Sequence, residues 1–254
     1  MMQLPSNFKQ RLYKIKLALS PVRWIMKIRF RATGGLRFRQ HLQHPALIEG
    51  LQSKENKSDV SDHLSTLFFF AVDAKPRLIV ELGTRGGEST RALLSAAAVT
   101  NAVMLSLDID DCSGLHLPHR HHWRFAKGDD IEFGRTGFAK WCAEANLKPE
   151  IDFLFIDTSH LYEHTKQEIA IWSQLLSDRG TMVFHDTNMG PVYGRLDRST
   201  GPSWDNHRGV IRAIEEFLGT RYDESCFFTD VAGGFVIAHY PHSNGLTVMK
   251  KLGR

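Results

Sequence analysis

Hydrophobic and polar positions along this chain alternate between two rhythms. Short apolar runs recur at 77–82, 103–108, 123–126, 151–157 and 181–186, each closed by an acid or a turn residue. LIVEL, VMLSLD, LFID and TMVFHD carry almost no solvent-facing position, the pattern of strands covered on both faces. Between them lie segments with helical spacing: 60–75, the stretch opening at Ser89-Thr90-Arg91, 162–176 and 209–218. A late segment, SCFFTDVAGGFVIAHY, reads as an antiparallel hairpin around Gly233-Gly234 that closes the sheet. Strands alternating with helices require right-handed crossovers. The expected fold is therefore α/β, a doubly wound and mostly parallel sheet of seven strands.

The acids share an address in this pattern. Glu81, Asp108, Asp129 and Asp130, Asp157 and Asp186 all fall at or just beyond the carboxyl ends of predicted strands, the rim where open α/β sheets bind ligands. The first of these ends is the most informative. In LIVELGTRGGES a strand runs into Gly83, Gly86 and Gly87 and then into a helix, so the backbone can approach a ligand beside free helix N–H groups. A carboxylate two residues before the first glycine would repel a pyrophosphate and suits a cationic cofactor, and S-adenosylmethionine carries a sulfonium and an ammonium. A dinucleotide site wants G-x-G-x-x-G; this turn reads G-x-x-G-G.

VELGTRGGES, followed in order by SLDID, KGDD, LFIDTSH, HDT, GVIRAIEEF and GGFVIAH, resembles class I S-adenosylmethionine-dependent methyltransferases, with their Rossmann-like sheet. Within them the set is similar to the small-molecule O-methyltransferase branch of macrocin-type and cephalosporin-hydroxylase-like proteins, with catechol O-methyltransferases as more distant relatives. The resemblance covers about residues 60–240. It implies that Gly83, Thr84, Gly86 and Gly87 pass under the methionine part of the cofactor, with Glu81 near its cationic groups. Asp108, 25 positions after Gly83, is placed to accept the ribose hydroxyls. Asp129 or Asp130 would meet the adenine amino group, a helix N-cap being the competing role.

Asp157 and Asp186 end strands four and five. On adjacent strands their carboxylates would lie about 5 Å apart. Two acids so close repel unless a proton or cation sits between them, and Mg²⁺ fits as a hard ion that keeps sites for substrate oxygens. In the metal-dependent relatives the acids at these positions are ligands, and the residue before the second acid, here His185, often contributes. Histidine is a poor Mg²⁺ ligand; Mn²⁺ or Fe²⁺ would tolerate it better, and Asn188 is a rival. The same resemblance gives His160, three residues after Asp157, the role of general base, while His164 is expected at the surface. The implied reaction is metal-assisted methyl transfer to a hydroxyl of a small molecule, a sugar or secondary metabolite. Two other readings carry weight: a cofactor-binding scaffold without chemistry, and a non-haem iron hydroxylase built on His160, His185 and Asp157.

Charge divides the chain. Ten of the 32 Lys and Arg fall in residues 1–40, which hold no acid; residues 41–254 hold the other 22 against all 28 acids. Residues 1–45 are expected to form a basic, amphipathic helical arm and 46–254 the catalytic domain. The arm would pack on the body or on a second copy of the chain, a homo-oligomer being expected, or make peripheral contact with anionic lipid. No base-reading module is visible, so a nucleic-acid partner is not expected. Three scattered cysteines and no secretory segment suit a reducing cytoplasm. HLPHRHHW reads as a solvated loop rather than a zinc site. Residues 187–208, rich in Gly and Pro, are a candidate substrate lid bearing Tyr193, Trp204, Asp205 and His207.

Overall fold

The computed structural model describes Leu47, residues 59–189 and 208–253, and the backbone of two short strands, 192–194 and 200–202. The expected basic arm, and Trp204, Asp205 and His207 of the expected lid, lie outside the described residues.

Five parallel strands form one half of the sheet: β1 (Leu78–Leu82), β2 (Val103–Asp108), β3 (Trp123–Lys127), β4 (Ile151–Ile156) and β5 (Leu176–His185). Three more strands follow, β8 (Phe228–Ala232), β9 (Phe235–Tyr240) and β10 (Leu246–Lys251), in the overall order β3-β2-β1-β4-β5-β10-β9-β8. The doubly wound architecture is as expected, with one strand more than the seven predicted. β8 and β9 do form the hairpin around Gly233 and Gly234, but β10 inserts between it and β5, antiparallel to both neighbours. The polar residues of LTVMKK hide this strand in the sequence. Thr247 is buried there because its cross-strand partner His239 satisfies its hydroxyl, Nδ1 to Oγ1 at 2.8 Å. The segment after β5 is not structureless either: β6 (Val192–Gly194) and β7 (Thr200–Pro202) pair antiparallel within it.

Alternation along the strands sorts side chains into two cores. Leu78, Val80 and Leu82 of β1, Leu154 and Ile156 of β4, and Met182 and Phe184 of β5 pack with the layer of α4 (Phe138–Glu144), α5 (Tyr162–Trp172) and α6 (Gly209–Leu218), centred on Trp172. Ile79, Phe153, Phe155 and Val183 face the opposite layer, α1 (Leu64–Asp73) and α2 (Glu88–Thr100). Ala92, Ala96 and Ala97 let α2 pack closely there. By the same period Glu81 and His185 point into the α1/α2 layer, a placement that decides their roles.

Two helices differ from their expected bounds. The 60–75 segment begins as a 3₁₀ turn, Asp59–His63, before α1, and the 162–176 segment tightens into a 3₁₀ turn, Ser173–Leu175, after Trp172. Among the described residues no helix is long and apolar enough to cross a membrane.

Candidate functional site

The sheet reverses its winding between β1 and β4, the topological switch point where a crevice opens. The turns after those strands meet there. Gly83 has φ +88°, and a Cβ on it would stand 2.1 Å from the Asp157 carbonyl oxygen. Only glycine allows this approach. The Gly83 N–H donates to the Leu107 carbonyl and the Asp157 N–H to the Leu82 carbonyl, both at 2.9 Å, so three strand ends are laced together. Gly87, in the left-handed region at φ +77°, starts α2, and its N–H closes the turn on the Thr84 carbonyl at 2.8 Å.

The two acids of this rim are occupied by the protein itself. Asp108 Oδ2 accepts from the Thr84 and Arg85 N–H groups at 2.8 and 2.9 Å, and Oδ1 from the Asp110 N–H at 2.9 Å. Burial works against its charge, but these N–H donors outweigh it and hold the carboxyl below its ordinary range. Asp108 is half-buried at the end of β2. Glu81 corrects the expectation made for it. Its carboxylate is 0% exposed and accepts from Ser89 Oγ (2.7 Å), Thr90 Oγ1 (2.8 Å) and Ser106 Oγ (2.7 Å). Strand alternation turns it under the glycine turn, with no surface exposed to the crevice. Trp123 Nε1 donates to Ser106 Oγ at 2.9 Å and extends this buried network to β3. Burial pushes Glu81 up to about 7, against the three hydroxyl donors.

The β4 and β5 ends are arranged differently. Asp157, His160 and Asp186 bring one ligand atom each within 4.8 Å of one another. His160 Nε2 lies 3.1 Å from Asp186 Oδ2 and its Nδ1 4.0 Å from Asp157 Oδ1. Asp186 has left the strand at φ +56°, and His160 sits at φ +58°. These left-handed conformations are uncommon for residues with a Cβ, and here they turn both side chains toward Asp157. Asp186 Oδ1 is buried without a hydrogen-bond partner. A hard cation suits this set: two carboxylates, a free buried acceptor, and a rim at His160 more exposed than the acids.

His185 does not stand beside the carboxylates as a third ligand on their open edge. It is sealed in the α1/α2 layer, Nδ1 3.3 Å from Asp157 Oδ1 and 3.6 Å from Asp186 Oδ2. Burial opposes its charge, but Asp186 and Asp157 overcome it and raise the imidazole well above its ordinary value. Burial likewise opposes ionisation of Asp186, and His185 outweighs it, so this carboxyl lies far below the usual range. Behind His185 lies His63, ring centroids 5.6 Å apart. Its Nε2 lies 2.9 Å from the His242 carbonyl, and burial, then His185 and His242, push it down to about 3. Asn188, the rival ligand, donates its amide to the Pro241 carbonyl at 2.7 Å.

Sequence reading missed Asp59 and His63. Burial raises Asp59, His185 lowers it, and Asp186 and Asp157 raise it further, which places it within electrostatic reach of the acid pair. Nothing in the spacing of DVSDH signals this, because only the packing of the 3₁₀ turn brings it to the sheet edge. His164, expected at the surface, instead lies with Nε2 3.1 Å from Asp130 Oδ1 and 3.5 Å from Glu168 Oε1. Asp129 caps α3 (Asp130–Glu132), accepting from the Glu132 N–H at 2.8 Å, while Asp130 is buried against His164. Asp129 thus takes the N-cap role that competed with an adenine contact, and it remains exposed. The histidine-rich loop holds no cluster of potential metal ligands among the described residues; His122 Nδ1 bonds the Ala102 carbonyl at 2.8 Å.

Comparisons with known proteins accord with this geometry. Residues 80–187, from β1 to the residue after Asp186, match a family model described as a methyltransferase domain. No curated protein sequence matches. Among solved structures, an O-methyltransferase from Bacillus cereus in complex with SAH is similar at 14% identity and a TM-score of 0.50, over 84% of this chain and 94% of that one. The O-methyltransferase TomG from Streptomyces achromogenes, of tomaymycin synthesis and in complex with SAM, is similar at 16% and 0.50, over 83% and 91%. MycE, of the mycinamycin pathway, in complex with Mg, SAH and mycinamycin VI, is similar at 18% and 0.52, over 84% of this chain but 56% of MycE. At these identities the likeness is one of fold.

Proposed function

We propose that this chain, whose residues 80–187 match a methyltransferase-domain model, transfers a methyl group from S-adenosylmethionine to a hydroxyl of a small molecule with the help of a divalent cation. The observation that carries the reading is the Asp157–His160–Asp186 group, set against the glycine turn through the contact of Gly83 with Asp157. MycE, solved with Mg, SAH and a macrolide on the same fold, supports it by analogy.

Gly83, Thr84, Gly86 and Gly87 would form the floor for the methionine part, and Asp108 retains acceptor capacity for ribose hydroxyls. Glu81 would act on the cofactor's cationic groups through its field, from beneath the turn. Asp157 and Asp186 would hold the cation, Mg²⁺ fitting their oxygens, with His185 buttressing both carboxylates from the sealed side. When bound, the cofactor supplies an electrophilic methyl group on sulfur, and the cation lowers the pKa of a nearby hydroxyl. His160, on the exposed side of the acids, accepts the hydroxyl proton. S-adenosylmethionine held on the glycine turn would supply the methyl group to that oxygen and leave as S-adenosylhomocysteine, so His160 would have one proton to take up per turnover. Most of the acceleration comes from alignment and charge neutralisation.

The test pairs binding with turnover. Calorimetry should detect S-adenosylmethionine binding, and methylation of a hydroxylated acceptor should stop in chelator and return with Mg²⁺. His160→Ala should lower kcat by about 10²–10³-fold with a much smaller change in KM. Absence of cofactor binding would overturn the assignment; undiminished turnover in chelator would remove the cation from it.

A further inference from the structure

A second group of ligand-type side chains lies on the other side of Thr158. Asp130 opens α3, and His164 and Glu168 occupy successive turns of α5 on one face, as residues four apart do. Their donor atoms all lie within 4.8 Å of one another. Glu168 is 0% exposed and Asp130 7%. Each carboxylate has one oxygen near His164 Nε2 and a second, Glu168 Oε2 and Asp130 Oδ2, that is buried with no hydrogen-bond partner. Thr158 Oγ1 donates to Glu168 Oε1 at 2.6 Å, so the group is tied to the loop that carries Asp157 and His160.

With both carboxylates ionised the charges in this group do not balance, and burial pushes the Glu168 carboxyl above its ordinary range. The ion pairs of Asp130 and Glu168 among the described residues run only to His164. One imidazolium can neutralise one of two buried carboxylates and leaves two acceptor oxygens empty, at a cost that folded proteins seldom accept. A single Nε2–H also cannot donate well to two carboxylates at once. A divalent ion bound by a neutral histidine and two carboxylates removes both deficits. Donor atoms on one ion at roughly 2.1 Å stand roughly 3.0–3.5 Å apart, and the two separations from Nε2 are 3.1 and 3.5 Å.

We infer that Asp130, His164 and Glu168 form a second divalent-metal site, distinct from the Asp157–Asp186 pair, that fastens α3 to α5 and steadies the catalytic loop through Thr158. A nitrogen with two carboxylate oxygens selects Zn²⁺ or Mn²⁺ over Mg²⁺.

The experiment uses Zn²⁺ on the full chain without an affinity tag, stripped by chelator and re-equilibrated. The first site is removed by the double substitution Asp157→Asn with Asp186→Asn. That protein should retain one Zn²⁺ per chain by metal analysis, and its Tm should rise with Zn²⁺, because an ion that binds only the folded state stabilises it. Adding His164→Ala or the near-isosteric Glu168→Gln should remove the ion and the shift. Two results overturn the inference: no Zn²⁺ retained and no Tm rise in the double variant, leaving His164 an imidazolium between two acids, or Zn²⁺ that survives both further substitutions and so sits elsewhere, the histidine-rich loop included. If the added substitutions fail to fold, Co²⁺ absorption of the double variant decides. Bands of a nitrogen-and-oxygen site, bleached by Zn²⁺, support the site; a spectrum of hydrated Co²⁺ overturns it.

Discussion

The β1/β2 rim and the β4/β5 rim present acids at equivalent places, yet they handle them in opposite ways. At the first, Glu81 and Asp108 are held by the protein's own donors, three hydroxyls for one and three backbone N–H groups for the other, with Asp108 keeping one acceptor site. Those acids shape the turn. At the second, Asp157 and Asp186 face each other with two histidines as company and one buried oxygen left over. An acid at a strand end is thus a brace or a ligand according to what satisfies its lone pairs, and its position alone does not distinguish the two.

Substitution should separate the rims. Asp157→Ala and Asp186→Ala should each lower metal-dependent turnover by about 10³-fold or more while leaving S-adenosylmethionine affinity within about threefold. Calorimetry beside a methylation assay checks this, and equal damage to both quantities would mean that the rims are one functional unit. Gly83→Ala should break both together. It forces a Cβ against the Asp157 carbonyl at a φ that disfavours side chains, and should cost about 3 kcal/mol or more in urea unfolding. A loss below about 1 kcal/mol would show that the two turns can separate freely.

The smallest effect concerns Glu81 and depends on pH. The folded protein holds the Glu81 proton up to about pH 7, whereas an unfolded chain releases it near 4.5. The folded state therefore binds more protons across that window, and stability falls as pH rises through it. Glu81→Gln removes the titrating group. Relative to this variant, the wild type should lose about 1–3 kcal/mol between pH 4.5 and 7, on a scale of roughly 1.4 kcal/mol per pKa unit. A pH-independent difference in unfolding free energy would mean that Glu81 does not titrate in that range. A weakened affinity for S-adenosylmethionine at pH 8 would measure its field on the cofactor.

Much of the first rim is legible because its signals are local. A strand, a glycine turn and a helix follow one another within twelve residues, and glycine is needed where φ is positive and the backbone must come close. The Asp157–Asp186 pairing follows from the strand order expected of consecutive βα units. Where reading fell short, the determinant is not local. β10 is stabilised by a buried Thr247–His239 contact across strands, and a threonine in a six-residue run that ends in two lysines gives no hint of it. His164 lies four residues beyond His160 on a helix with polar neighbours, a pattern that predicts a surface position. Its partner Asp130 lies 34 residues away on another element.

By itself the sequence determined the α/β alternation, the five acidic strand ends and the cofactor turn, because these depend on periodicity and on glycine's backbone freedom. Tertiary structure alone decided which acid faces a ligand and which lies sealed. That depends on strand parity, which turns Glu81 and His185 inward, and on the left-handed conformations of His160 and Asp186. It also depends on donors such as Ser89, Ser106 and Thr158, which reach their carboxylates only once the helices pack on the sheet.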